Sequence, residues 1–356
     1  MKHITIEKIF EQIVQIDSIS GEEKEMANFL FSFLKNDCGL SPIIDEHNNV
    51  FVKTKGIGDP LFINAHMDTV EPGRSIVPVL KDGVFTSRDE TILGADDKGA
   101  VAAIMSSLIF MIENPAEIWK PLDILFTTSE EVGNYGAVGF DKSQIRANMG
   151  IIFDGNGPIE TIMAASPFYA RFDIKINGIS AHAGYPEEAK PAIPTMLEIM
   201  RQLESLRFND LLVNVGKISG GTARNTIIGT LTLNGEVRSY YKDVFEKALI
   251  DLKAIMSKTY GCDITTEIVV ENPGYVHSDE DLAEIKELID KHLTTDTQIK
   301  WSYGVSDANI FNEDTKKLKV FNLGDGSLGA HTTKESVSVE SLQRMKELII
   351  KMAINN

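Results

Sequence analysis

Apolar positions near the start of the chain recur at helical spacing. Ile6, Ile9, Phe10, Ile13 and Ile16 fall on one face and predict a helix over residues 4–16. Ser18-Ile19-Ser20-Gly21 breaks it, and Ser20 is placed to cap a second helix that opens with Glu22 and Glu23 and runs to about Lys35. Residues 42–45 and 50–54 read as paired strands turning at Asn48-Asn49. Leu61-Phe62-Ile63 follows Gly58-Asp59-Pro60 and reads as a buried strand that breaks abruptly into His66-Met67-Asp68. Residues 77–80 and 84–87 form a small hairpin around Lys81-Asp82-Gly83. Residues 100–112 are small and apolar on nearly every side, which predicts a helix packed deep in the fold. Residues 122–126, 150–153 and 318–323 are further buried strands, and residues 338–354 a final helix.

Between these lies a section of different rhythm. Residues 168–176 alternate as a strand, 191–206 form a helix, 211–218 and 226–238 are strands, 242–259 a helix and 264–270 a last strand. The order β-α-β-β-α-β reads as a ferredoxin-like module. The expected organisation is therefore an α/β domain built from residues 1–166 and 273–356, with residues 167–272 inserted as a second domain.

The formal net charge of −17 argues against a nucleic-acid or anionic-membrane surface, either of which needs a basic patch. It suits a site that collects carboxylates around cations. No apolar run approaches the length of a spanning helix. The first residues have interleaved charges and no signal-peptide core, so a cytoplasmic protein is expected. Cys38 and Cys262 are too few and too far apart for a disulfide framework or a thiolate zinc site.

The chemistry is concentrated where apolar segments end. In open α/β sheets, sites form beyond the carboxyl ends of the strands. His66 and Asp68 close one strand. Asp96-Asp97 precede the apolar helix, Glu130-Glu131 follow residues 122–126, Asp154 follows Phe153, and His331 follows a glycine-rich loop. Singly, each has another reading: Asp96 and Asp97 as helix caps, Glu130-Glu131 as a solvated loop pair, His331 as a surface histidine. Together, the two imidazoles of His66 and His331 and the carboxylates of Asp96, Glu131 and Asp154 fit two zinc or similar ions, with one carboxylate bridging. Such ions would lie roughly 3.5–4 Å apart. Residues two apart on a strand point the same way, so Asp68 can fix the ring of His66. Of two adjacent glutamates, one can bind metal and the other stay free beside a metal-bound water, suited to act as general base.

His66-Met67-Asp68-Thr69-Val70, Gly94-Ala95-Asp96-Asp97-Lys98-Gly99, Thr127-Thr128-Ser129-Glu130-Glu131, Phe153-Asp154-Gly155 and Gly329-Ala330-His331, in this order and with an inserted ferredoxin-like module, resemble the co-catalytic dizinc exopeptidase family of carboxypeptidase G, the aminoacylases and peptidase T. Glu71-Pro72-Gly73, Ile92-Leu93 and Ser180-Ala181-His182-Ala183-Gly184 are most similar to its peptidase T-like branch. The resemblance covers essentially the whole chain. It implies a mixed-sheet catalytic domain with an inserted lid and dimerisation domain. His66 and Asp154 would hold one zinc, Glu131 and His331 the other, with Asp96 bridging. Mn2+ or Co2+ could replace zinc. Asp68 would orient His66, Glu130 would be the base, and the bond after Asp96 would be cis. In the insert, His182 would reach a neighbouring active site across a homodimer and stabilise the oxyanion. Asn225 and Arg238 would hold a substrate carboxylate. Ser306-Asp307-Ala308-Asn309 matches a family loop near the substrate, without a role for each residue.

The resemblance thus implies a cytoplasmic zinc exopeptidase acting on short peptides, a tripeptide aminopeptidase by its branch. An amidohydrolase that removes an acyl group from an amino acid, or a carboxypeptidase, is the enzyme alternative. A catalytically silent metal-binding or assembly protein is the non-enzyme one, and the presence of Glu130 speaks against it. Residues 324–329 literally fit G-x-G-x-x-G after a strand, but no helix opens after them and too little chain remains for a dinucleotide-binding unit.

Overall fold

The computed structural model of the chain describes residues 4–206, 210–293, 295–314 and 317–354. It divides into two compact units. The first comprises Met1–Ala164, His277–Ser302 and Ser306–Asn356, the second Ala165–Val276 and Tyr303–Val305.

In the first unit the elements that matter for the site are, in order, α1 (Ile6–Val14), α2 (Lys24–Ser32), β1 (Val50–Lys53), β2 (Leu61–His66), α3 (Ala95–Glu113), β3 (Leu122–Thr127), β4 (Met149–Gly155), β5 (Thr161–Ser166), β6 (Lys319–Gly324) and α4 (Val339–Ala353). The strands lie side by side as β1, β3, β2, β4, β6, β5. β2 runs parallel to β3 and β4, and β4 parallel to β6, while β1 and β5 are antiparallel to their neighbours. The sheet is mixed, and its four parallel strands all end on one edge.

Period-two alternation splits each central strand between two environments. Leu61, Ile63 and Ala65 of β2, Leu122, Ile124 and Phe126 of β3, and Ile151 and Phe153 of β4 join the main core. There α3 packs on β2 and β4 and is flanked by α1 and α4. Residues 99–108 of α3 are buried without interruption, as a helix apolar all round must be. The alternate positions, Phe62, Asn64, His66, Asp123, Thr127 and Asp154, belong to the other set. On that side Phe62 meets Phe311, with ring centroids 4.9 Å apart, in the short helix Asp307–Phe311.

Several local expectations are refined. The second helix begins at Lys24 and ends in a π-helical turn over Phe33–Asp37. Ser20 does not cap it; its hydroxyl donates instead to the Asp68 carboxylate at 2.7 Å. The hairpin Pro78–Lys81 with Val84–Ser87 gains two further strands, Ser336–Ser338 and Ser327–Leu328, so the loop carrying His331 is held at both ends by one small sheet.

The second unit is an antiparallel sheet in the order Leu212–Gly220, Thr230–Ser239, Phe168–Asn177, Asp263–Asn272, with helices Ala192–Leu206 and Lys242–Met256 contributing to its core. That is the ferredoxin-like arrangement. The strand expected over residues 226–238 is split. Thr226–Ile227 pairs with Ala181–His182, and the long strand starts at Thr230. The break is at Gly229, where a Cβ would stand 2.3 Å from the Ser180 nitrogen, so only glycine lets the two segments cross. Among the described residues no helix is long and apolar enough to cross a membrane.

Candidate metal centre

The parallel edge of the sheet gathers the predicted ligands. His66 is the last residue of β2, Asp154 lies at the end of β4, Glu130 and Glu131 follow β3, and His331 follows β6. Asp96 stands at the start of α3 in non-helical backbone, and the Asp96–Asp97 bond is cis. Two triads form. The donor atoms of His66, Asp96 and Asp154 lie within 4.8 Å of one another, as do those of Asp96, Glu131 and His331. Asp96 belongs to both. Its Oδ1 is 3.1 Å from His66 Nε2 and its Oδ2 is 3.4 Å from His331 Nε2. Glu131 Oε1 lies 2.8 Å from the same His331 nitrogen.

The electrostatics call for cations. Asp154 Oδ2 is buried and has no hydrogen-bond partner, a costly state for a carboxylate oxygen. Burial first, then the charges of Glu130 and Asp96, push the Asp154 carboxyl well above its ordinary range. Burial likewise raises Glu130, helped by Asp307, Glu131 and Asp68. Asp325, in the glycine-rich loop, is pushed up to about 7 by burial and by Asp96. Burial opposes ionisation of Asp96 too, but hydrogen bonds with His331 and His66 hold it below the usual carboxylate range. Those with Asp96 and Glu131 lift His331 to about 10. Two imidazoles and three carboxylates in the two triads that share Asp96 could hold a pair of divalent ions.

Asp68 does more than orient a ring. The nearer partner of His66 Nδ1 is the main-chain carbonyl of Asp68, at 3.1 Å, with the carboxylate at 3.4 Å. Donation from Nδ1 leaves Nε2 as the free lone pair facing Asp96. The Asp68 carboxylate also accepts the backbone N–H groups of Glu130 at 3.0 Å and Glu131 at 3.3 Å. Glu23 supports the same turn by accepting the N–H and hydroxyl of Ser129. Glu335 does for Asp96 what Asp68 does for the glutamates. Its buried carboxylate accepts the N–H groups of Leu93 and Gly94, each at 2.8 Å, and of Asp96 at 3.1 Å. None of Ser20, Glu23 and Glu335 was legible as a site residue. The only sequence signal was their proximity to glycine or to a motif.

His182 Nδ1 accepts the Gly184 N–H at 3.1 Å, which leaves the other ring nitrogen as the proton-bearing one in the neutral form. That nitrogen lies 3.3 Å from the Asn225 side-chain amide. Arg238 stacks on the Tyr169 ring, 4.7 Å from its centroid, pairs with Glu236 and donates to the Tyr303 carbonyl.

Comparison with known proteins follows the same division. Residues 49–166 match the model of peptidase family M28, and residues 168–263 that of the peptidase dimerisation domain. The uncharacterised protein YqjE of Bacillus subtilis is 30% identical over 96% of this chain and 95% of its own. A fungal protein named as a probable carboxypeptidase, from Ajellomyces dermatitidis, is 26% identical over 94% of this chain and 83% of its own. The crystal structure of aminopeptidase PepT from Bacillus cereus superposes with a TM-score of 0.86 at 27% identity, covering 98% of this chain and 97% of that one. A tripeptidase from Staphylococcus aureus gives a TM-score of 0.89 at 25% identity, covering 98% and 96%. The chain is a metallopeptidase with a dimetal site, its M20-type dimerisation domain inserted in the catalytic one. It belongs to the co-catalytic dizinc exopeptidase family, in its peptidase T-like branch.

Proposed function

We propose that this protein is a cytoplasmic, dizinc tripeptide aminopeptidase. The observation that carries the reading is Asp96, whose two oxygens each face a different histidine while each histidine lies in its own ligand triad. His66 and Asp154 would hold one ion, Glu131 and His331 the other, and Asp96 both. Bound there, the ions would supply Lewis acidity, lowering the pKa of water and polarising the scissile carbonyl.

The remaining work falls to side chains. Glu130 is buried beside the ligands but is the neighbour of one rather than part of either Asp96-containing triad. It takes the proton of the attacking water and hands it to the leaving nitrogen. Asp68 holds the Glu130-Glu131 backbone and the ring of His66. His182, with its outer nitrogen protonated, donates to the developing oxyanion, acting across a homodimer formed by the inserted domain. Asn225 and Arg238 receive the peptide carboxylate, which must compete with Glu236 for the guanidinium. The aminopeptidase and tripeptide assignments draw on the likeness to PepT and the tripeptidase; the fungal relative's name keeps carboxypeptidase action as the second reading.

A panel of free, N-acetylated and C-amidated tripeptides, assayed with and without chelator, tests this. Cleavage of the free peptide from its amino end, loss of cleavage on N-acetylation and loss of all activity on chelation are expected. Preferred hydrolysis of the N-acetylated peptide would overturn the aminopeptidase assignment.

A further inference from the structure

Glu130 is not left to find its own orientation. Asn134, four residues on in the same loop, donates from its side-chain nitrogen to Glu130 Oε1 at 2.9 Å. The same nitrogen donates to Asp307 Oδ1, also at 2.9 Å. Both acceptors are carboxylates, so the amide can only face them with its NH2 end, and its two N–H groups match two acceptors. The other Asp307 oxygen accepts the hydroxyl of Thr127, and Thr127 Oγ1 in turn accepts from Asn64 at 3.1 Å. Asn64 and Thr127 lie in β2 and β3, the strands that end in His66 and just ahead of Glu130. All five side chains are buried.

The local backbone is shaped to this end. Asn134 has φ 56°, a left-handed conformation that asparagine tolerates better than most residues, and its N–H bonds back to the Glu130 carbonyl at 2.9 Å. On the far side, Ser306 caps the short helix Asp307–Phe311 and so fixes Asp307. The Ser306 hydroxyl also accepts from Asn322 at 3.1 Å, and the Asn322 side chain pairs with both main-chain groups of Asp154. The 306–309 segment therefore reaches a proposed ligand through Asn322 and the proposed base through Asn134.

We infer that Asn134, braced by Asp307, is a positioning residue for the reaction: it pins one oxygen of Glu130 and leaves the other to meet water and the leaving nitrogen. A glutamate has three rotatable side-chain bonds, and holding them before substrate arrives removes an ordering cost from the transition state. The inference rests on the reading of Glu130 as base.

The test compares Asn134→Gly, Asn134→Asp and Glu130→Gln, with the full-length protein, trialanine as substrate, and metal content and Tm measured for each. Glycine keeps the left-handed backbone and removes the amide. Aspartate keeps size and backbone tolerance but places an acceptor where a donor stood. Asn134→Gly should lower kcat by about 10–100-fold, part of the range a general base contributes, with KM within about threefold of the parent. Asn134→Asp should fall at least as far; both should stay folded at the assay temperature and keep metal content, with Tm lowered by the unmatched buried carboxylates. A folded, metal-loaded variant of either kind with parent kcat overturns the inference. So does a loss of activity in both that tracks lost metal or lost fold, since that is a structural role. Parent turnover by Glu130→Gln would bring down the base reading and this inference with it. An inactive Glu130→Gln beside a fully active Asn134→Gly would bring down this inference alone.

Discussion

Glu130 and Glu131 are chemically identical and adjacent, yet their surroundings differ. Glu131 faces His331 at 2.8 Å and lies in a ligand triad with Asp96. Glu130 faces Asn134 instead. Glu130→Gln keeps the shape and removes the basic oxygen. It should retain bound metal and lose at least about 100-fold in kcat, as removal of a general base does; metal analysis beside steady-state kinetics checks both halves. A second residue-scale prediction concerns Glu335, whose carboxylate accepts three backbone N–H groups around Asp96. Glu335→Gln turns one acceptor into a donor facing donors. It should cost about 1–3 kcal/mol, the usual penalty for an unmatched buried polar group, and weaken metal binding. Thermal unfolding and metal titration of the variant measure the two effects.

Elements place these residues, and they differ in how plainly the sequence announces them. His66, Glu131 and Asp154 stood out because each closes or follows a largely apolar strand, and the parallel strands bring those ends to one edge. The β-α-β-β-α-β order of the insert was legible from alternation. What escaped were contacts between polar residues far apart in the chain. Ser20 reads as a helix cap because its neighbours are glycine and glutamates, but tertiary structure gives its hydroxyl to Asp68. Glu335 reads as a loop charge, yet its partners lie 239 to 242 residues earlier. No periodicity encodes such a pairing. Glycines carry part of the placement. A Cβ at Gly324, the last residue of β6, would stand 1.9 Å from the Pro158 carbonyl oxygen. Gly324→Ala should therefore push the end of β6 away from the turn that follows β4 and destabilise the protein by about 1–3 kcal/mol through overpacking. It should also lower metal affinity, since His331 follows that strand. Denaturant unfolding, with and without added Zn2+, reads both.

For the molecule as a whole, the proposed ligand set predicts that metal binding is coupled to protons. Hydrogen bonds with Asp96 and Glu131 push the His331 imidazole up to about 10, and burial and neighbouring charge push Asp154 well above the carboxylate range. A metal ligand must be deprotonated. Below its raised pKa, His331 must give up a proton for metal to enter, so binding at pH 8 releases protons and apparent affinity falls as pH falls. Calorimetric titration with Zn2+ in two buffers of different ionisation enthalpy should show this release. Equal heats in both would contradict it. Metal that binds the folded chain alone stabilises it by about 2.7 kcal/mol at one hundred times Kd, so the loaded protein should also melt higher.

Two ions are expected among these side chains, with Asp96 between them. Anomalous scattering from a crystal grown with Zn2+ tests this most directly. Two peaks are expected, one against His66 and Asp154, the other against Glu131 and His331, each reached by one Asp96 oxygen. A single peak, or peaks that leave Asp96 uncoordinated, would contradict the account.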